Sequence, residues 1–232
     1  MPAPAAVAEK KPVELFDMGD YRTEQLAALR AAIRYIQGLS TAEIDRLKRT
    51  ISDYLEFRKE VDAFLDDHFA DICTRTCFES ELSACCSKDG IITFFADILI
   101  NTLHASPAQI EALIDRLENP AEGFKCVYLA KNGCLMRIQP IVCKMFLCDR
   151  AEKEVFRNHP QLKSQWEDLK EKKKRFTWPD RPVLFDFLEE LALKAGLSSP
   201  LMYMHTSPGL LRVKQNAQKT VKGRTDGGSS GS

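Results

Sequence analysis

The stretch Ile44–Ile72, IDRLKRTISDYLEFRKEVDAFLDDHFADI, spaces Ile44, Leu47, Ile51, Tyr54, Val61, Leu65 and Ile72 by alternating threes and fours, broken only at Arg58 and His68. Side chains three and four apart share one face of an α-helix, so the pattern predicts a long helix over residues 42–72 that buries one stripe. Ser40 or Thr41 supplies its N-cap, and Glu43 falls in the first turn, where its carboxylate can reach back to a free backbone amide. A helical-bundle core is one reading of this seam, and a self-associating coiled coil is the other.

Working outward, EQLAALRAAIRYIQGL after Thr23 repeats the helical period and meets a stop signal at Gly38. Residues 1–15, rich in Ala, Pro and Lys, read as a flexible N-terminus. Downstream, DGIITFFADILINTL (residues 89–103) reads as a buried helix. Ser106 and Pro107 then take the N-cap and first helical positions of a helix that stops before Pro120. KCVYLAKNGCLMRI places two short β-prone runs around Lys131-Asn132-Gly133, a hairpin signal. Pro140 precedes a helix over IVCKMFLCDRAEKEVF, and a solvated helix over LKSQWEDLKEKKKRF follows Pro160. TWPDRP is a break, and PVLFDFLEELALKAG forms a compact apolar helix ending at Gly196. The basic, then Gly/Ser-rich tail over residues 213–232 reads as disordered.

The expected architecture is therefore mainly α: a helical bundle-like arrangement around a cysteine-cluster metal site, with a short β-hairpin. The N-terminal helical segment spans residues 16–72, the cysteine-cluster region 73–150 and the C-terminal helical segment 151–212.

Lys plus Arg balance Asp plus Glu at 33 each, so no global charge draws the chain to nucleic acid, and none is expected as a partner. The longest apolar run, IITFFADILI at residues 91–100, is interrupted by Asp97. A membrane span needs roughly twenty such residues, so none is expected. The first residues, MPAPAAVAEKKPVELF, contain no continuous apolar stretch of the secretory kind, and the expected location is cytoplasmic, where thiols stay reduced.

That compartment matters because all eight cysteines fall between residues 73 and 148. They are Cys73, Cys77, Cys85, Cys86, Cys126, Cys134, Cys143 and Cys148. Disulfides replacing a missing core would be spread along the chain, and a chain that is 44% hydrophobic does not lack one. Metal ligation is the better reading. Close pairs let one local turn aim two sulfurs at the same ion, and Cys73-x3-Cys77 and Cys143-x4-Cys148 lie near the spacings of structural zinc sites. Neighbouring side chains diverge, so adjacent Cys85 and Cys86 serve different metals or need an irregular backbone. Eight thiolates suffice for one or two zinc or iron–sulfur sites. The spacings of ferredoxins, thioredoxins and radical S-adenosylmethionine enzymes are absent, as are a phosphate loop, H-E-x-x-H and G-x-S-x-G.

Ala84-Cys85-Cys86, then C-x-x-L at Cys126–Leu129, then GCLMRIQPIVCKMFLC resemble the YkgJ-type cysteine-cluster family, regarded as zinc- or iron-chelating domains. In that likeness Cys134, Pro140, Cys143 and Phe146 occupy family positions, while Gln139 stands where the family usually has arginine. Upstream, Cys73 and Cys77 are spaced more loosely than the family's compact pattern. The likeness covers residues 73–150 and implies metal chelation without a single activity. A related cluster in the flagellin lysine-N-methylases is an iron–sulfur unit, but no methyltransferase cofactor loop is evident here.

Lone residues elsewhere have simpler readings. His104 could ligate a metal, although a surface or capping role fits its place after the 89–103 helix. His68 reads as packing, and His159 and His205 as loop residues. Met202, Tyr203, Met204, Trp166 and Trp178 read as packed apolar positions, and Lys170–Arg175 as a solvated helix end. The expected function is metal binding in a structural, electron-transfer or accessory role, with an unknown protein partner or small-molecule substrate. A metal-dependent enzyme with an open coordination position, and an interaction scaffold stapled by zinc with residues 42–72 as its surface, are the rivals.

Overall fold

The computed structural model describes residues 18–226 apart from 84, 88–91, 121–122, 124 and 158. The fold is mainly α, with one short antiparallel hairpin. Its central element is α4 (Phe95–His104), in which Phe95 through Thr102 are all buried. Helix α1 (Met18–Gln37) packs on one side of α4, and α9 (Leu184–Lys194) on another. Helix α5 (Pro107–Glu118) lies against α1, and α8 (Pro160–Thr177) against α9 and α3 (Ser52–Phe69). One core therefore runs through all three segments of the chain.

Aromatic rings join the helices. Tyr54 meets Phe176 and Phe185 edge-on at 5.4 and 5.5 Å, and Phe64 stacks on Trp166 at 5.4 Å. Such contacts add to the burial of large apolar area. Three short helices, α6 (Ile141–Lys144), α7 (Asp149–Phe156) and α10 (Tyr203–Thr206), and the long α11 (Pro208–Asp226) complete the architecture. Among the described residues, no helix is long and apolar enough to cross a membrane.

Local signals act as their chemistry dictates. Ser40 and Glu43 form a reciprocal capping box at α2 (Thr41–Thr50), and Ser106 with Gln109 does the same at α5, with Pro107 in the first turn. Gly196, at φ 75°, ends α9: its amide donates to Leu193 and that of Leu197 to Ala192, the pattern that satisfies the last carbonyls. In the hairpin, β1 (Leu129–Ala130) pairs with β2 (Gly133–Cys134), and Gly133 at φ 104° takes the left-handed turn position.

Four expectations are corrected. The single helix over 42–72 is broken at Ile51, whose ψ near 0° ends α2 before α3 begins. Flanking hydroxyls cause this: Thr50 donates to the Arg46 carbonyl and Ser52 to that of Arg49, competing with the backbone ladder. Past Phe69 the chain widens into a π-helix, Ala70–Phe78. The buried helix expected over 89–103 starts only at Phe95, because Asp97 accepts the Phe94 amide and caps it there; residues 89–91 lie outside the described residues. The helix expected after Pro140 is two helices, α6 and α7, with Cys148 in extended conformation before the second. The tail expected to be disordered from 213 continues α11 to Asp226, anchored by Lys214, which donates to Asp186 at 2.6 Å and to the Met204 carbonyl. Residues 1–15 and 227–232 lie outside the described residues. Helix α1 starts ahead of Thr23, at Met18, and α8 buries Trp166 on the face opposite its solvated one.

Candidate metal centre

The cysteines enter from six pieces of backbone. Cys73 and Cys77 stand on the π-helix. There the Thr76 hydroxyl takes the Asp71 carbonyl and the Glu79 amide takes that of Thr74, five residues back in each case. Next comes an irregular loop in which Glu81 (φ 62°) and Ser83 (φ 37°) adopt the left-handed region, costly for residues with a Cβ. Lys125 donates to the Leu82 and Ser83 carbonyls and so clamps this loop. Cys85 and Cys86 follow it.

The Cys126 amide donates to the Cys86 carbonyl at 2.9 Å, and Ser87 bridges to Lys125, tying the adjacent pair to the C-x-x-L segment. Arg116 of α5 holds that segment from behind, donating to the Val127 and Leu129 carbonyls at 3.0 Å each. The Tyr128 amide in turn points at the Cys126 sulfur, 3.4 Å away. Cys134 sits on β2, paired with Leu129. Cys143 lies in α6, and Cys148 precedes α7.

The loop between Cys134 and Cys143 is pinned by polar groups that sequence reasoning did not single out as functional. Asn101 accepts the Ile138 amide and Asp97 the Ile141 amide, both at 3.0 Å, while Arg58 donates to the Gln139 carbonyl at 2.7 Å. Arg137 donates to the His104 carbonyl. All three pinning side chains are buried, where an unmatched polar group is expensive. A signal for them existed. Arg58 interrupts the apolar seam, and Asp97 and Asn101 recur four apart within an otherwise apolar helix.

Cys73 and Cys85 are exposed, and the other six thiols are half-buried. Their electrostatic neighbourhoods overlap: Cys86 feels Cys126, Cys134 and Cys143, Cys143 feels Cys126 and Cys85, and Cys73 feels Cys85, Cys148 and Cys77. Burial pushes Cys126, Cys134 and Cys143 up to about 11 each, opposed by hydrogen bonds from the amides of Tyr128, Met136 and Ile92 respectively. Partial burial also raises Cys73 to about 11. The hydrogen bond between Cys85 and Cys86 raises the former and lowers the latter, so Cys86 is the readier thiolate.

Among the described residues, no three His, Cys, Asp or Glu side chains are arranged, as they stand, to hold a metal ion. The histidines lie apart from the thiols. His104 is half-buried near Lys48 and Arg137, and His68 meets the Phe64 ring at 5.0 Å. His159 precedes α8, and His205 contacts Glu189 and Asp186. Met202 and Met204 are buried and Trp178 is partly exposed, while Lys170, Lys172 and Lys174 pair with Glu167, Glu60 and Glu171. Comparison of the chain with family models, with curated proteins and with solved structures gave no match in any of the three.

Proposed function

We propose that this chain is a metal-binding protein that holds zinc, iron or an iron–sulfur cluster through cysteine thiolates, in a structural, electron-transfer or accessory role. The observation that carries the reading is the main-chain bond that sets Cys86 beside Cys126, with Cys134 across the hairpin from Leu129 and backbone amides aimed at three of the sulfurs. Amides directed at sulfur are the outer-shell partners that orient thiolate ligands and stabilise their charge.

The raised thiols fit this reading as well. Cys126, Cys134 and Cys143, held near 11, are neutral at pH 7, and a bound cation supplies the positive charge that makes desolvated thiolates stable. Loading therefore releases protons, and affinity drops steeply as the medium is acidified.

The rival scaffold surface is weakened by burial. Leu47, Ile51, Tyr54 and Val61 of the 42–72 seam lie inside the chain's own core. Metal and acid-labile sulfide content, with the visible spectrum, of anaerobically purified protein test the proposal. Stoichiometric iron with sulfide, or stoichiometric zinc, supports it; neither metal in protected material overturns it. Cys143→Ser is expected to lower the metal content, and unchanged stoichiometry removes Cys143 from the ligand set.

A further inference from the structure

We propose that α11 is a strap released by acid: Lys214 fastens it to the fold, and protonation of His205, which shares a carboxylate oxygen with that lysine, frees it. The device lies apart from the thiols and does not depend on the metal-binding reading.

Apolar contact holds α11 weakly. Among its described side chains, Pro208 to Thr220, none is buried, and Leu210 is the one that packs on the core. The neighbouring α10 is fixed, because Met202 before it and Met204 within it are buried. Between the two helices Ser207 is extended, at φ −71° and ψ 120°, and Pro208 begins the next helix. A change of dihedral at Ser207 therefore swings α11 without lifting α10. What secures α11 is Lys214, which donates to Asp186 of α9 at 2.6 Å and to the Met204 carbonyl at 3.1 Å.

The same Asp186 oxygen that holds Lys214 also faces His205 Nε2, at 3.4 Å. On the other side of the ring, Nδ1 meets Glu189 Oε2 at 3.1 Å. Glu189 is fully buried, and burial holds its carboxyl up to about 9, so at neutral pH it keeps a proton and donates it to Nδ1. One ring nitrogen is thus already occupied, and the other stands beside an ammonium. Burial and Lys214 hold His205 below its ordinary value, against the weaker pull of Asp186 and of Glu190, which is itself paired with Lys194 at 2.7 Å. Tyr203, whose charged neighbours are Glu24 of α1 and Glu189, is raised by burial and stays neutral throughout this range.

The repulsion is mutual. Because docked Lys214 makes His205 harder to protonate, a protonated His205 weakens the docking of Lys214 by the same factor. Undocking removes the ammonium and admits water to the ring, which returns toward its ordinary value of about 6.5. The released form therefore binds the extra proton and gains on the docked form as pH falls below about 6.5. The gain is at most about tenfold per pH unit and stops once the docked form is protonated too.

The test is hydrogen exchange of the full chain as purified, read by mass spectrometry from pH 7.5 to 5, with labelling times scaled for the intrinsic pH dependence of exchange. A single undocked helix is marginal in water, so its amides exchange. Protection in α11 is expected to fall by at least about threefold, within the tenfold that one proton permits per pH unit, while protection in α4 holds. His205→Gln keeps a hydrogen-bonding side chain that cannot titrate, and should leave α11 protected at both ends of the range. Any action of acid on the thiols falls on both proteins alike, so the difference between them isolates His205. The mutual repulsion is read directly by NMR: the His205 ring should titrate below its ordinary range in the wild type and move upward in Lys214→Met. Protection of α11 that does not change with pH in the wild type overturns the proposal. The same fall in His205→Gln, or an unmoved ring titration in Lys214→Met, overturns it as well. Should His205→Gln lose protection in α4 too, the wild-type profile and the ring titration still decide the matter.

Discussion

The helical frame and the thiol-bearing end are built on opposite terms. In the frame, α4 is buried along most of its length, and Trp166, Phe185 and Ile51 expose none of their surface. Its order comes from apolar area removed from water, which needs no partner of a particular kind. At the thiol-bearing end the sulfurs are half-buried or exposed, the π-helix and two left-handed residues are strained, and the thiols are mostly pushed toward their neutral form. Order there depends on polar clamps reaching out from the frame. The lesson is one of dependence in a single direction: the frame can stand without the cluster, but the cluster's geometry is borrowed from the frame.

The sharpest way to break this comparison is Trp166→Ala. Removing a fully buried indole that stacks on Phe64 leaves a cavity and is expected to lower unfolding free energy by about 3–5 kcal/mol, measured by urea titration. Cys73→Ser in metal-free protein is expected to move the same curve by less than about 0.5 kcal/mol, since it is an exposed substitution away from the core. Equal effects would erase the distinction between the regions.

Next in size is the link between them. Asn101→Ala strips the Ile138 amide of its partner in a buried setting, an expected loss of about 1–3 kcal/mol. The same variant should loosen the Cys134–Cys143 loop and reduce bound metal more than an equally destabilising core variant such as Ile98→Val. If metal content follows overall stability alone, the clamp has no separate role.

The frame also stores two buried acids that give it a distinctive pH response. Burial raises Asp97 to about 7 and Glu189 to about 9. The unfolded chain gives up both protons near pH 4, while the folded chain keeps them, so the folded state binds more protons between those limits. Stability is therefore highest below about pH 4 as far as these two groups go. It falls as pH rises, to about 7 on account of Asp97 and on to about 9 on account of Glu189, by at most about 1.4 kcal/mol per pH unit for each proton. His205, lowered by burial, acts in the opposite sense and only as pH drops through its ordinary range, while the raised thiols begin to lower stability only as pH nears the ordinary thiol value of about 8.5, so the interval from about 7 to 8 is governed chiefly by Glu189. Urea midpoints across that interval should flatten in Glu189→Gln and keep their slope in Asp97→Asn.

How much of this could be read from the chain alone follows the range of each cause. Caps are local, and Ser40 with Glu43, Ser106 with Pro107, and Gly196 all mark their helix ends in the sequence. The mainly α character and the hairpin follow from local periodicity and Lys131-Asn132-Gly133. The breaks at Ile51 and at Met145–Cys148 were not legible, because the apolar period runs through both. The π-helix was invisible for a related reason, since Thr76 and Cys77 carry no mark that distinguishes a five-residue from a four-residue return. Asp97 and Asn101 were visible as polar intrusions in an apolar helix, but their partners are backbone amides about forty residues away, which no side-chain pattern announces. The cysteines themselves were legible as a set, and their arrangement in space was not.

The smallest expected effect tests whether the dependence is truly one-way. Ser106→Ala removes the N-cap acceptor of α5 and should lower stability by about 1 kcal/mol, because the Gln109 amide loses its partner at the first turn. Helix α5 also carries Arg116, which holds the carbonyls of Val127 and Leu129 beside Cys126. Fraying at a helix end is confined to its first turn, and Arg116 lies near the opposite end of α5, against the core residues Leu113 and Leu117. Alkylation of Cys126 in metal-free protein, followed by mass spectrometry, should therefore proceed at the wild-type rate in Ser106→Ala and faster in Arg116→Ala. Acceleration in both would mean that α5 moves as one body with the thiol loop, and that the frame yields to the cluster as readily as the cluster leans on the frame.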